Sequence, residues 1–289
     1  MQAQILLKKI EQEFPELKWK DYELVTKGWD FDVVILDKKI VFRFPKEEDF
    51  ITNLKKEIAL LSYLDSRFSA DIPQYCYIAS DQSFAGYLYL DGRELTVSRY
   101  KKFDSNVRKL LQEMIADFIS SLHQTPTTIL KKYKIRIGKP EKFLEWLVHD
   151  TEKYVFPKLN KNETKYINEH FDELRKALND KYSPVLVHGD LTEGHILWDD
   201  KKNRLSIIDF SDHHTGDPAT DFSGLIEFGE EFITNVYSLY LGPKDENLLH
   251  RARLNYKTLP LTVMKGALCE APVSFEDAYA MFKERFNIK

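Results

Sequence analysis

The sixteen residues from Val185 to Asp200, VLVHGDLTEGHILWDD, decide the reading of this chain. A short apolar run delivers the backbone into His188-Gly189-Asp190, and a second histidine, His195, follows five residues after the aspartate. A strand needs no such ending, and an acid set between glycine and leucine is costly unless something uses it. Downstream, HILWDDKKNRLSIIDFSD reads as a hairpin turning at DDKKN, so the chain doubles back and brings the Asp190–His195 segment beside Asp209. Two carboxylates and an imidazole then share one edge at the ends of β-strands. That arrangement suits one acid that accepts a proton and one that holds a metal.

The surrounding pattern changes period twice. ILLKKIEQEF predicts a first helix over about residues 3–14, and YELVTKG, FDVVILD and KIVFRFPK read as three short antiparallel strands. The helical spacing of Ile51, Leu54, Ile58, Leu61 and Leu64 follows, and then YCYIAS and FAGYLYLDG, two more strands. After Gly92 helices dominate: 106–123, 140–156, 162–178, and the region from Pro218 to Phe286. The expected architecture is α+β and two-lobed. A small antiparallel-sheet lobe over 1–91 precedes a larger helical lobe over 92–289 with a central catalytic hairpin.

The 289 residues carry 43% hydrophobic and 30% charged side chains and a formal charge of −4. This is the composition of a folded soluble protein, and it offers no basic footprint for nucleic acid. No run approaches the roughly 20 apolar residues of a membrane span, and the N-terminus lacks the pattern of a signal peptide. Cys76 and Cys269 form no CxxC pair and read as ordinary packed thiols of a reducing compartment. A cytoplasmic monomer is expected.

HGDLTEGHI followed by IIDFSD resembles the catalytic and metal-binding segments of the aminoglycoside phosphotransferase family, which shares its fold with the protein kinases. The five-residue step from Asp190 to His195 matches the kinase spacing between base and metal ligand. The resemblance implies that Asp190 accepts or orients the proton of a substrate hydroxyl. It also implies that Asp209 binds the Mg²⁺ bridging the phosphates of ATP or GTP, with His195 where most members carry Asn. Histidine at that position is a trait of the 2″-phosphotransferase branch. On the same resemblance His188, Asp217 and Asp221 support the loop, Asp217 as a cap for the next helix and Asp221 as a brace.

In the first lobe the same resemblance implies the nucleotide site. It implies that Gly28 lies in the turn over the phosphates and that Arg43 stands where relatives often have lysine, with Lys46 as the alternative. It implies Glu57 as the partner acid, and Tyr89, Leu90 and Asp91 as the segment whose backbone would read the purine. From Asp209 to Glu231 the chain has seven acids and no Lys or Arg. Glu227, Glu230 and Glu231 have the spacing to share one helix face, either as a solvated surface or as a wall for a polycationic acceptor. Adjacent His213 and His214 read as loop residues. The expected activity is transfer of a γ-phosphoryl group to an aminoglycoside hydroxyl. A macrolide or hydroxylated metabolite as acceptor, and nucleotide binding without transfer, are the alternatives.

Overall fold

The structure, a computed structural model, describes residues 2–269 and 271–288. Helix α1 (Gln2–Glu13) precedes strands β1 (Tyr22–Val25), β2 (Phe31–Leu36) and β3 (Ile40–Pro45). Asp37 and Lys38, both with positive φ (50° and 53°), are the central residues of the turn in the three-residue connection 37–39 from β2 to β3, closed by the Lys39 amide donating to the Leu36 carbonyl at 2.8 Å. This turn geometry matches the right-handed twist of a hairpin. Helix α2 (Glu48–Leu64) opens with Glu48 and Asp49, acids suited to the positive end of the helix dipole, and buries Leu54, Glu57, Leu60, Leu61 and Leu64. Strands β4 (Tyr75–Ile78) and β5 (Ala85–Leu88) complete an antiparallel sheet ordered β1-β2-β3-β5-β4. Five strands with one helix inserted after the third agree with the sequence pattern.

Beyond Gly92 come β6 (Arg93–Glu94), α3 (Val97–Tyr100), α4 (Ser105–His123), α5 (Thr127–Lys132) and α6 (Pro140–Asp150). Asp104 caps α4 by accepting the amides of Asn106 and Val107. Helix α6 runs on into a π-turn over Thr151–Val155, which shortens the regular helix expected over 140–156. Next are α7 (Lys161–Ala177), β7 (Val185–Val187), β8 (Ile196–Asp199), β9 (Arg204–Ile207), β10 (His214–Gly216), α8 (Ala219–Ser223), α9 (Glu230–Leu239), α10 (Leu248–Ala267) and α11 (Phe275–Arg285). Among the described residues no helix is long and apolar enough to cross a membrane.

The hairpin β8–β9 pairs Ile196 with Ile207 and Asp199 with Arg204, and its outer edge is covered by β6. Its inward side chains, Trp198, Leu205 and Ile207, are buried against Leu111, Ile115, Phe118 and Ile119 of α4 in the largest core cluster. Burial of each such side chain contributes roughly 1.5–3 kcal/mol. A second core joins α6, α7, α10 and α11 through Leu147, Phe171, Leu261 and Phe282.

Along the catalytic hairpin the lobes are tied at Asp71 and at Asp91–Gly92. The Asp71 amide donates to Leu205 and its carbonyl accepts from Ile207, 2.9 and 2.8 Å, while Arg204 grips its carboxylate at 2.6 Å. Asp91 binds Lys202 at 2.6 Å, and Gly92, at φ 120°, lies so close to Trp198 that a Cβ would sit 3.1 Å from its backbone. Both cysteines are exposed and free rather than packed. Cys76 falls on the outward face of β4, an edge strand with alternating burial.

Candidate active site

Strand β7 is buried throughout and ends at His188, which is itself inaccessible. The His188 Nε2–H donates to the Ile208 carbonyl at 3.0 Å, so Nδ1 is left to accept the Asp190 amide at 3.3 Å. Burial pulls this imidazole down to about 4 and keeps it neutral in that role. Gly189 has φ 91°, and a Cβ there would lie 2.4 Å from the Asp212 carbonyl oxygen, so only glycine fits. Asp221, fully buried, accepts the amides of His188 and Gly189, both at 2.9 Å. The same carboxylate meets His123 Nε2 at 3.0 Å, and His123 Nδ1 meets the Tyr240 hydroxyl at 2.6 Å. The loop is thereby pegged to α4 and to the end of α9.

This pegging presents Asp190 to a cleft. Its side chain remains 40% exposed and lies beside the His195 imidazole, Nδ1 to Oδ2 3.3 Å. Burial raises the Asp190 carboxyl above its ordinary value, His195 opposes the rise, and the negative Asp212 and Asp209 add to it. His195 Nδ1–H donates to the Asp190 carbonyl at 2.8 Å, which fixes the tautomer and leaves the Nε2 lone pair facing Asp209 Oδ2 at 3.8 Å.

Asp209 follows β9 with φ 61°, a strained conformation for a non-glycine residue. Its Oδ1 accepts from Arg43 at 2.8 Å and from the Ser211 hydroxyl at 2.6 Å. Burial would raise this carboxyl, but Arg43 first, then His195 and Ser211, hold it well below the usual carboxylate range. Arg43 is buried in β3, bridges Asp209 to Glu57 (2.7 Å) and Tyr75 (3.1 Å), and lies 4.0 Å over the Phe31 ring. Lys46 is elsewhere: its ammonium binds the carbonyls of Thr26 (2.8 Å) and Gly28 (2.5 Å) and holds the β1–β2 turn. Gly28 has no positive φ, although an added Cβ would come within 3.0 Å of the Phe31 carbonyl.

In the connector, the Tyr89 amide is committed to Lys39 at 2.8 Å and the Asp91 side chain to Lys202. Among the described residues the Leu90 backbone and the Asp91 amide have no hydrogen-bond partner within the chain, so they are available to a base.

The acids after Asp209 do not form one wall. Glu227 lies in a 3-10 turn over Gly224–Phe228, Gly229 breaks the chain direction at φ 102°, and Glu230 and Glu231 then open α9. The single helix face expected for the three is therefore absent. Glu227 is bonded to the buried Arg285, Glu230 to Arg253 at 2.6 Å, and Glu231 is exposed. Asp217 accepts the Ala219 amide at the start of α8 and grips Arg251 at 2.6 Å. His213 is buried and bonded to the Phe210 carbonyl, while His214 bonds to that of Asp212.

Sequence reasoning missed Asp30, whose carboxyl is raised to about 6 by burial, then by the nearby Asp212 and Asp209. Nothing local distinguishes it from an ordinary turn aspartate. His123 and Tyr240 were also missed, because their link to the loop runs through Asp221 and joins residues 98 and 117 apart in the chain. Beside Asp190 opens a cleft of about 1260 Å³ that reaches from Trp29 to α6, α8 and α10.

Asp209 Oδ2 and His195 Nε2 converge on one point, and among the described residues no cluster of three or more metal-binding side chains occurs. Two protein ligands fit Mg²⁺, which keeps waters and phosphate oxygens in its remaining positions.

A family model described as the phosphotransferase enzyme family (APH) matches residues 21–251. The uncharacterized protein YcbJ of Bacillus subtilis (strain 168) is 26% identical over 218 residues, covering 69% of this chain and 68% of its own. Among solved structures, the GDP and kanamycin complex of APH(2″)-IIIa is similar with a TM-score of 0.87 at 24% identity, over 97% of this chain and 98% of that one. Macrolide 2′-phosphotransferase type I is similar with a TM-score of 0.70 at 21% identity, over 97% and 96%. These likenesses establish the two-lobed, kinase-like fold, and with the match over residues 21–251 the chain belongs to the phosphotransferase enzyme family.

Proposed function

We propose that this chain is a small-molecule kinase that moves the γ-phosphoryl group of ATP or GTP to a hydroxyl of an acceptor held in the cleft. The observation that carries the reading is the meeting of Asp190, His195 and Asp209 at one edge, with the Arg43–Glu57 pair behind Asp209. Asp190 accepts or orients the hydroxyl proton, and its burial-raised basicity suits that task. Asp209 and His195 would hold Mg²⁺, which when bound would neutralise charge on the donor phosphates. Arg43, oriented by Glu57, would offer phosphate oxygens the Nη2 that meets Asp209. Gly28 and its turn cover the phosphates, and the backbone of Tyr89, Leu90 and Asp91 receives the purine. Likeness to a kanamycin-bound structure supports an aminoglycoside acceptor. The pairing of Glu227 and Glu230 with arginines favours a less cationic acceptor, a macrolide or a hydroxylated metabolite. Nucleotide binding without transfer is disfavoured by the partly exposed Asp190 carboxylate, which among the described residues meets the His195 imidazole and no Lys or Arg.

The test is acceptor-dependent release of nucleoside diphosphate with Mg²⁺, across kanamycin-type and macrolide acceptors. Asp190→Asn is expected to lower kcat roughly 10²–10⁴-fold with nucleotide affinity unchanged. The acid limb of kcat/KM is expected above the ordinary carboxylate range, with activity falling as the pH falls through it. Near-wild-type turnover by Asp190→Asn removes Asp190 from this role, and no turnover with any hydroxylated acceptor sinks the kinase reading.

A further inference from the structure

The cleft beside Asp190 does not have the chemistry of an anionic wall. Its carboxylates are Glu141, Asp190, Asp212, Asp217 and Glu227, and its cations are Arg136, Lys139, Arg251, Lys265 and Arg285, so the lining is balanced at five of each. Two of the acids are already committed. Asp217 holds Arg251 and Glu227 holds Arg285, and these arginines are only 4% and 7% exposed. An ammonium group that captured either carboxylate would leave a buried guanidinium short of a partner. A polycation gains little from such a lining.

The apolar content of the same cleft is what remains unexplained by the chain's own packing. Trp29, Phe143, Trp146, Ile137 and Leu259 all line it and all expose more than a third of their surface. Large exposed apolar groups gathered around one cavity and rimmed by charge mark a ligand site. Phe143 and Trp146 stand on one face of α6 with ring centroids 5.7 Å apart. Trp29 comes from the other lobe, one residue beyond Gly28 in the β1–β2 turn, and reaches α10, where a Cβ on Gly266 would fall 2.4 Å from its ring. An aromatic side chain from the donor side and an aromatic pair on the acceptor side therefore line one cleft.

Resting on the kinase reading, we infer that the acceptor is a hydroxylated molecule with a broad apolar face and at most one charge, and that Trp29 determines this specificity from the donor-side turn. Trp29 acts on the acceptor, while the donor is held by groups behind it.

The test reads binding rather than turnover. The full chain is titrated calorimetrically, without nucleotide, with a macrolide (one amine on a large apolar ring) and with kanamycin. The expected result is that the macrolide binds at least tenfold tighter, and that Trp29→Ala and Trp146→Ala each weaken it tenfold or more. Trp29→Phe should restore most of the loss, and circular dichroism should show all three variants folded. The inference is overturned by tighter, salt-sensitive binding of kanamycin, by macrolide affinity indifferent to both tryptophans, or by no macrolide binding. Turnover of kanamycin with indifferent tryptophans would discard the inference and keep the kinase. Tryptophan-dependent macrolide binding with no phosphate transfer to any acceptor would do the reverse.

Discussion

Arg43 is bonded to three partners at once, and a lysine could not hold them. Its planar fork places Nη1 on Glu57 and Tyr75 and Nη2 on Asp209, whereas an ammonium is a single point of charge. Glu57 is 1% exposed, and burial already pushes its carboxyl upward against the pull of Arg43. Arg43→Ala would strand that carboxylate, so a stability loss of about 3–5 kcal/mol is expected by denaturant unfolding. Arg43→Lys should lose less stability yet weaken nucleotide binding, because one charge cannot serve both acids. A fully stable Arg43→Ala would show that Glu57 is satisfied without it. The sequence left Arg43 and Lys46 as rivals because IVFRFP is buried almost without alternation and its pattern does not mark a face. Pairing supplies what the pattern lacked: Arg43 lies opposite Val33 and Ala85 in the sheet interior, while Lys46 is past the strand and clamps the turn.

Between β7 and β8 the loop owes its shape to one glycine more than to another. Gly189 combines φ 91° with a clash at 2.4 Å, whereas a Cβ on Gly194 meets nothing within 4 Å. Gly189→Ala is expected to cost about 1–3 kcal/mol and most of the activity, while Gly194→Ala stays near wild type in both. Thermal unfolding and turnover of the two variants side by side check this, and equal behaviour would discard the argument. The hairpin itself was legible, because its turn residues and alternating apolar positions are local. The acids of α9 were not. Helical spacing assumes one continuous helix, which Gly229 interrupts, and Arg285 reaches Glu227 from 58 residues away. Strand β10 was equally hidden, since its His-Thr-Gly is a strand only by pairing with β7.

Across the whole molecule, three buried histidines make the fold sensitive to acid. His170, His188 and His213 are each drawn down to about 4, burial being the largest cause in every case. The unfolded chain takes up these protons near pH 6.5 and the native chain only near 4, so within that window the unfolded state binds more. Stability is complete above about 6.5 and declines as pH falls, by up to ~1.4 kcal/mol per unit for each histidine. Melting temperature measured from about pH 7 down to about 4.5 should therefore drop before ordinary carboxylates titrate. A flat profile would show that these imidazoles are protonated at little cost. The order of a sheet lobe and a helical lobe was readable from the change of period, but their mutual attachment was not. Asp71 and Asp91 fasten one side of the molecule to the catalytic hairpin, and Arg43 joins the sheet lobe to Asp209 at the mouth of the site. The indole of Trp29 against Gly266 adds a contact to α10, well away from the hairpin. A swing of the lobes that widened the cleft would part that indole from α10.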